Sequence, residues 1–330
     1  MIYPEFIHPG STIGIAAPSA GVGDKIPDFE QSLSVLEEEG YRIRETPSVR
    51  TADERSADAE TRGREMTSLF TDDSIDMVMA AAGGDFLNEM IPYFDFEAAR
   101  KHPKWMMGAS DPTGLLYPYT VKYDVASFYG MNAGSFDLGR DWDYIASALH
   151  FLNGSDLSEH NFPAYMSKAK FLVDTPAYDS EDIWQATQDE IHVSGRCIGG
   201  CIDGLKDLIG TRFDATRDFV ERYADDRQIF YFDNFALSAE NFYRTLKQFS
   251  YAGWFDHTEA VIVGRVLFES SETGMDYEDA VRMALPHIPV ITQADIGHTI
   301  PAMVMINGAM MHLDYDHGKA SISFELVCSG

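Results

Sequence analysis

Lys104–Pro118 reads KWMMGASDPTGLLYP, and the succession of residue types along it decides the fold class. An apolar run, Trp105 to Ala109, has the character of a buried strand. It breaks at Gly108, Ala109, Ser110 and Asp111, and Pro112 then opens a helix, where a proline is well tolerated at the first position. Strand, tight turn and helix in that order are one half of a βαβ unit. The same alternation extends outward over the first 150 residues, with strands expected at Thr12 to Pro18, Tyr41 to Pro47, Asp76 to Ala82 and Val125 to Met131. Between the first two, Ile26, Phe29, Leu33 and Leu36 recur at spacings of three and four, and Gly40 closes that helix. The expectation is an α/β fold, with a Rossmann- or flavodoxin-like parallel-sheet domain over residues 1–150.

From Phe151 to Gln185 the periodicity fades. Asn, Gly, Ser, Pro and Asp accumulate in NGSDLSEHNFPAY and DTPAYDSED, which reads as a crossing segment over residues 151–185. A second α/β domain is expected over residues 186–330. It begins with a Gly-rich turn, SGRCIGGC, followed by the strand RQIFYFD and a helix from Ser238 to Phe249. The strand AVIVGRV, a helix around Tyr277 to Leu285 and the strand PVITQAD come next. A hairpin-like tail follows, with Asn307-Gly308 and His317-Gly318 as turns.

Composition narrows the functional class. The chain has 330 residues, 45% of them hydrophobic, enough for sizeable cores. No run approaches the ~20 apolar residues of a membrane-spanning helix, and the start lacks the basic flank and apolar core of a secretory signal. The expected location is the cytoplasm, away from any membrane. Three cysteines, Cys197, Cys201 and Cys328, cannot all pair. With no second Cys pair and no HExxH, no structural metal is expected, and no cofactor. Against 25 basic residues stand 53 acidic ones, a formal net charge of −28. Such a surface repels phosphate backbones, so no nucleic-acid partner is expected.

The chemistry concentrates at the turn in Lys104–Pro118. A serine at a strand-to-helix turn is exposed, and free N–H groups at the helix start face any negative charge forming beside it. Pro112 has no N–H, so Asp111 is the nearest donor. Ser110 and Asp111 can equally serve as ordinary helix caps. A second loop, in MVMAAAGGDFLNEM, leaves a strand through Gly83 and Gly84, where backbone can approach a ligand closely. One N–H from that loop and one from Asp111 suffice for an oxyanion hole. The loop has neither the lysine of a P-loop nor a GxGxxG fingerprint. A hydroxyl nucleophile needs a base, and among ten histidines His298 stands out, following a strand at a glycine in ADIGHTIPAMV. Asp233, ending IFYFD, can orient it, or can be a helix cap or surface charge.

Seven stretches in order carry a family resemblance: HPGSTIGIAAPSAGV, AAAGGDFLNEMIPYFDF, GASDPTGLL, FYGMNAG, GRCIGGCIDGLKDLIGT, IFYFDN and QADIGHTIPAMVMINGA. Together they resemble the LD-carboxypeptidase family of serine peptidases, which includes the microcin C self-immunity peptidases, over nearly the whole chain. The resemblance implies an N-terminal α/β domain bearing the nucleophile, at Ser110, and a smaller C-terminal α/β domain bearing the acid and the histidine, the latter at His298, with oxyanion donors on Asp111 and the Gly83-Gly84 loop. It puts the acid at Asp233, where the family typically has glutamate, one methylene longer. Asn234 follows directly and can assist or misalign the pair. The GGDFLNEM loop resembles the microcin-immunity branch more than the muropeptide branch. Asp85 in that loop, and Trp184 as an aromatic wall, become substrate-binding candidates; Trp184 has packing as its alternative role.

The expected activity is amide hydrolysis by a Ser-His-acid triad. Its substrate is a small peptide or peptidyl-nucleotide conjugate, or the L,D-bond of a muropeptide, and family resemblance suggests a homodimer. The alternative is a binding or sensing protein on the same scaffold, its catalysis impaired by the shorter acid.

Overall fold

A computed structural model describes residues 1–181 and 183–327, and Cys328 lies outside them. The chain divides into two units. One holds Met1–Leu157 and Val304–Gly308; the other holds Ser158–Met303 and Ala309–Val327.

In the first unit, strands β1 (Thr12–Ala16), β2 (Arg42–Glu45), β3 (Met77–Ala80), β4 (Trp105–Gly108) and β5 (Ser127–Tyr129) run parallel in the order β5-β4-β3-β1-β2. This is the flavodoxin-like order, with its switch point between β1 and β3, where ligands settle at the carboxyl ends of strands. TIGIA, MVMA and WMMG are buried throughout, as strands covered on both faces must be. β2, RIRE, alternates exposed and half-buried residues, and its arginines suit an edge. The connecting helices are α1 (Ile26–Glu38), α2 (Ala59–Thr71), the short α3 (Leu87–Met90) and α4 (Phe96–Lys101), α5 (Thr113–Val121) and α6 (Asp143–Asn153). α1 buries Phe29, Leu33 and Leu36 as the spacing predicts; each stabilises the unit by ~1.5–3 kcal/mol. Gly40 ends that helix region at φ 87°, a left-handed conformation that favours glycine. α5 is buried along its whole length, so the helix behind Ser110 is a core element.

The second unit has an eight-stranded sheet, and the first a six-stranded one. Its strands are β6 (Ser158–His160), β9 (Gln185–Ala186), β10 (Glu190–Cys201), β11 (Gln228–Asp233), β12 (Thr258–Gly264), β13 (Val290–Ala294), β15 (Met310–Asp316) and β16 (Lys319–Glu325); β7 (Ala164–Tyr165) and β8 (Ser180–Glu181) form a separate pair. β10 to β13 are parallel neighbours, and β15, β16 and β6 continue the sheet antiparallel. The helices are α7 (Ile202–Leu208), α8 (Thr216–Arg222), α9 (Ala239–Tyr251) and α10 (Tyr277–Ala284).

Three sequence expectations change. SGRCIGGC is the buried end of strand β10 rather than a turn. Its glycines serve packing: a Cβ on Gly199 would stand 1.9 Å from the carbonyl oxygen of Tyr231 on β11. The Asn307-Gly308 pair does not turn a hairpin. Met305–Asn307, strand β14, leaves the second unit and pairs antiparallel with β5, and only His317-Gly318 joins paired strands, β15 and β16. The Phe151–Gln185 segment begins inside α6 and then supplies β6 and β9, the two edges of the eight-stranded sheet.

Candidate active site

Ser110 stands between β4 and α5 at φ 66°, a left-handed conformation that side-chain-bearing residues seldom adopt. Its surroundings hold it there. The Asn132 amide grips Ala109 from both sides, accepting its N–H at 3.1 Å and donating to its carbonyl at 3.3 Å. The N–H of Ser110 donates to the Tyr129 hydroxyl at 3.2 Å, and its carbonyl accepts the N–H of Thr113 at 2.9 Å. The hydroxyl is left half-buried at the carboxyl end of β4.

Gly83 and Gly84, after β3, lie against this turn. A Cβ on Gly83 would stand 3.0 Å from the Ser110 Cβ and 3.2 Å from its Oγ, so glycine lets the loop approach the nucleophile. Gly84, at φ 147°, leaves room for Ser19 Oγ, which a Cβ would meet at 2.3 Å. Among the described residues, the N–H groups of Gly83, Gly84 and Asp111 have no hydrogen-bond acceptor. Free donors beside a strained serine are the makings of an oxyanion hole. The Asp111 carboxylate accepts the Ser19 hydroxyl and the N–H of Leu87. Burial raises its pKa and the Asp85 charge adds to that, while the two donors oppose the shift.

In the second unit, Asp233 ends β11 and is fully buried. His298 sits on the loop after β13, with Nδ1 2.7 Å from Asp233 Oδ2. Burial disfavours the imidazolium and is the largest single influence. The Asp233 charge and contact, with Asp203 farther off, outweigh it, so the His298 pKa is raised above its ordinary value.

Gly297 lies directly against the Asp233 carboxylate. At φ 102°, a Cβ there would lie 2.0 Å from Asp233 Oδ1 and 2.1 Å from Cγ, so only glycine lets the loop rest on the carboxylate. Gly264 admits the same loop from β12, where a Cβ would meet the Ile296 carbonyl oxygen at 2.1 Å. Phe235 packs on the imidazole with ring centroids 4.5 Å apart. Asn234 spends both ends of its amide on the backbone of Leu237, closing the turn after β11.

The candidates thus fall into two sets. Ser110, Asp111, Gly83 and Gly84 converge in the first unit, and Asp233 and His298 converge in the second. Asp85 is exposed on the glycine loop. Trp184 is buried, 1% exposed, with its indole N–H donating to Asp295 Oδ2 at 3.0 Å, which fits the packing role left open for it.

Several supporting residues escaped the sequence reading. Asp203 accepts the N–H groups of Phe235 and Ala236 at 3.0 and 3.2 Å and so fixes the turn after Asp233. Arg265 makes a buried ion pair with Asp295 at 3.1 Å and bonds the Gln293 carbonyl, clamping the base of the His298 loop. Ser19, Asn132 and Tyr129 lie inside stretches the resemblance used, but nothing in their spacing distinguishes them from ordinary loop residues.

Among the described residues, two groups have ligand atoms within 4.8 Å of one another, as a metal site needs: buried Cys201 and Asp233 with His298, and exposed Glu190, Asp316 and His317. Burial, then the charges of Asp233 and Asp203, hold the Cys201 pKa well above its usual value.

Comparison with known proteins places the chain in a family. The LD-carboxypeptidase N-terminal domain profile matches residues 13–130, and the C-terminal domain profile matches residues 194–313. A candidate carboxypeptidase of Vibrio cholerae is 25% identical over 96% of each chain. The Escherichia coli microcin C7 self-immunity protein MccF is 23% identical over 95% of this chain and 93% of its own. MccF solved in complex with aspartyl sulfamoyl adenosine superposes with a TM-score of 0.85 at 22% identity, covering both chains fully. A muramoyltetrapeptide carboxypeptidase from Oxalobacter formigenes gives 0.75 at 21% identity, over 97% of this chain and 100% of that one. With both domain profiles matched in order over more than two thirds of its length, the chain belongs to the LD-carboxypeptidase family and is a serine-type carboxypeptidase hydrolase.

Proposed function

We propose that this hydrolase cleaves the amide bond of a small peptidyl-nucleotide conjugate by acyl transfer, with Ser110 as nucleophile, His298 as general base and Asp233 as the acid that orients it. The observation that carries the reading is the serine held at φ 66° at the end of β4, with unbonded N–H groups beside it. Ser110 Oγ attacks the amide carbonyl carbon while His298 takes the hydroxyl proton. The N–H of Asp111 and those of the Gly83-Gly84 loop stabilise the oxyanion. Collapse breaks the C–N bond as the imidazolium gives its proton to the leaving amine. Water, deprotonated by His298, then releases the acid product from the acyl-enzyme and restores Ser110. No step calls for a metal.

The substrate class rests on two supports: the GGDFLNEM loop resembles the microcin-immunity branch, and MccF has been solved with an aminoacyl sulfamoyl nucleoside. A cytoplasmic location and a homodimeric state belong to the same reading by family resemblance. The test is a hydrolysis screen of aspartyl and glutamyl sulfamoyl adenosine against L,D-linked muropeptides. Faster turnover of the adenosine conjugates is expected. Preference for muropeptides reassigns the substrate, and no turnover of either refutes the proposal.

A further inference from the structure

We propose that the Asp111 side chain is the positioning residue of the oxyanion cradle, binding the loops after β1, β3 and β4 into one rigid unit around Ser110. This rests on the acyl-transfer reading above and assigns a task to a carboxylate that the reaction itself does not use.

Two donors from different loops converge on one oxygen. Asp111 Oδ2 accepts the Ser19 hydroxyl, from the loop after β1, and the Leu87 N–H at 2.9 Å, from the end of the glycine loop after β3. The circuit closes behind them. Ser19 Oγ accepts the N–H of Phe86 at 3.3 Å, and the N–H of Ala20 donates to the Gly83 carbonyl at 3.2 Å. Ser19 is fully buried, so water cannot substitute for these partners. From the far side, buried Arg62 donates to the carbonyls of Pro18 and Phe86, both at 3.0 Å, pinning the same two loops.

The distances that matter in an oxyanion hole are those between donors on separate loops, and a misplacement of ~1 Å is costly. Here one donor belongs to Asp111 itself and the other to the loop its carboxylate holds. The side chain therefore sets the spacing between the two donors. A carboxylate suits this work because Oδ2 accepts two donors at once, and a charged acceptor bonds them about twice as strongly as a neutral one.

The test compares wild type, Asp111→Asn and Ser19→Ala. Phosphonylation by a fluorophosphonate, kcat and KM on aspartyl sulfamoyl adenosine, and folding by circular dichroism are measured for each. In Asp111→Asn the amide keeps the volume but replaces a charged acceptor with a neutral one. Phosphonylation and kcat are expected to fall roughly 10–10²-fold, with KM changed less than threefold, since the cradle acts on the tetrahedral state. Ser19→Ala removes one strand of the circuit and should lower the same rates several-fold without loss of folding. Wild-type rates in Asp111→Asn overturn the inference, as does a fall only in proportion to unfolded protein. If Asp111→Asn fails to fold, unchanged rates in Ser19→Ala overturn it instead. Failure of the wild type to react with either reagent would strike the acyl-transfer reading, which separates the two outcomes.

Discussion

Gly297→Ala should disable the enzyme through one methyl group that touches neither substrate nor nucleophile. The added Cβ would lie 2.0 Å from Asp233 Oδ1, 2.1 Å from Cγ and 2.7 Å from Cβ. Non-bonded carbon and oxygen do not approach within 3.0 Å, so loop or carboxylate must move by about 1 Å. Asp233 is fully buried on β11 and has nowhere to retreat, so the loop moves and carries His298 with it. Alanine at φ 102° adds backbone strain of about 1–3 kcal/mol. A shift of ~1 Å in a catalytic base costs on the order of 10²-fold in rate. The assay pairs kcat on aspartyl sulfamoyl adenosine with urea unfolding of the same samples. The expected result is a kcat lowered about 10²-fold or more, a KM little changed, and a stability loss of about 1–3 kcal/mol. Asp233→Ala in the same background removes the contacts with Oδ1 and Cγ, leaves the one with Cβ at 2.7 Å, and should recover part of the stability loss. A Gly297→Ala enzyme turning over within threefold of wild type would refute the packing of this loop on the acid.

Four further outcomes follow from the same geometry. Asp233→Asn should lower kcat on the order of 10²-fold, because an amide cannot stabilise the imidazolium. It should also move the acid limb of kcat/KM downward: the base must be neutral, Asp233 helps raise the His298 pKa, and removing its charge lets that pKa fall; an unmoved limb would exclude the pairing. Because the folded pKa is raised, His298 stabilises the fold fully below its unfolded value of about 6.5, and this is lost as pH rises through the folded value; a pH series of urea midpoints for wild type against His298→Ala reads the difference. Arg265→Met leaves buried Asp295 without its ion-pair partner, and unfolding should show a loss of about 3–5 kcal/mol; a loss below 1 kcal/mol would contradict the clamp. Activity should survive exhaustive EDTA, whereas inactivation reversed by zinc would make Cys201, Asp233 and His298 a metal site.

The sequence revealed elements wherever burial was periodic or complete. The α1 face and the apolar β1, β3 and β4 runs could be read directly, because a strand covered on both faces has no polar positions to hide it. It misled where glycine served packing. SGRCIGGC looks like a turn because glycine usually marks one, but here the absent Cβ atoms admit the neighbouring β11 backbone. Asn307-Gly308 has the residues of a hairpin turn, and a local signal could not show that β14 pairs with β5, some 180 residues earlier in the chain. At the site, Ser110 and His298 were legible because each sits at a loop that leaves a strand. Ser19, Asp203, Arg265 and Gly297 act through contacts with residues distant in sequence, and one sequence carries no record of such contacts.

The central claim, that Ser110 is the nucleophile, is tested most directly by peptide mapping after reaction with a fluorophosphonate. The account predicts one adduct, on the Ser110 hydroxyl, formed in step with loss of hydrolysis and absent from Ser110→Ala, whose fold should survive because a half-buried loop hydroxyl contributes little to stability. An adduct on another residue, or full hydrolytic activity in Ser110→Ala, would contradict it.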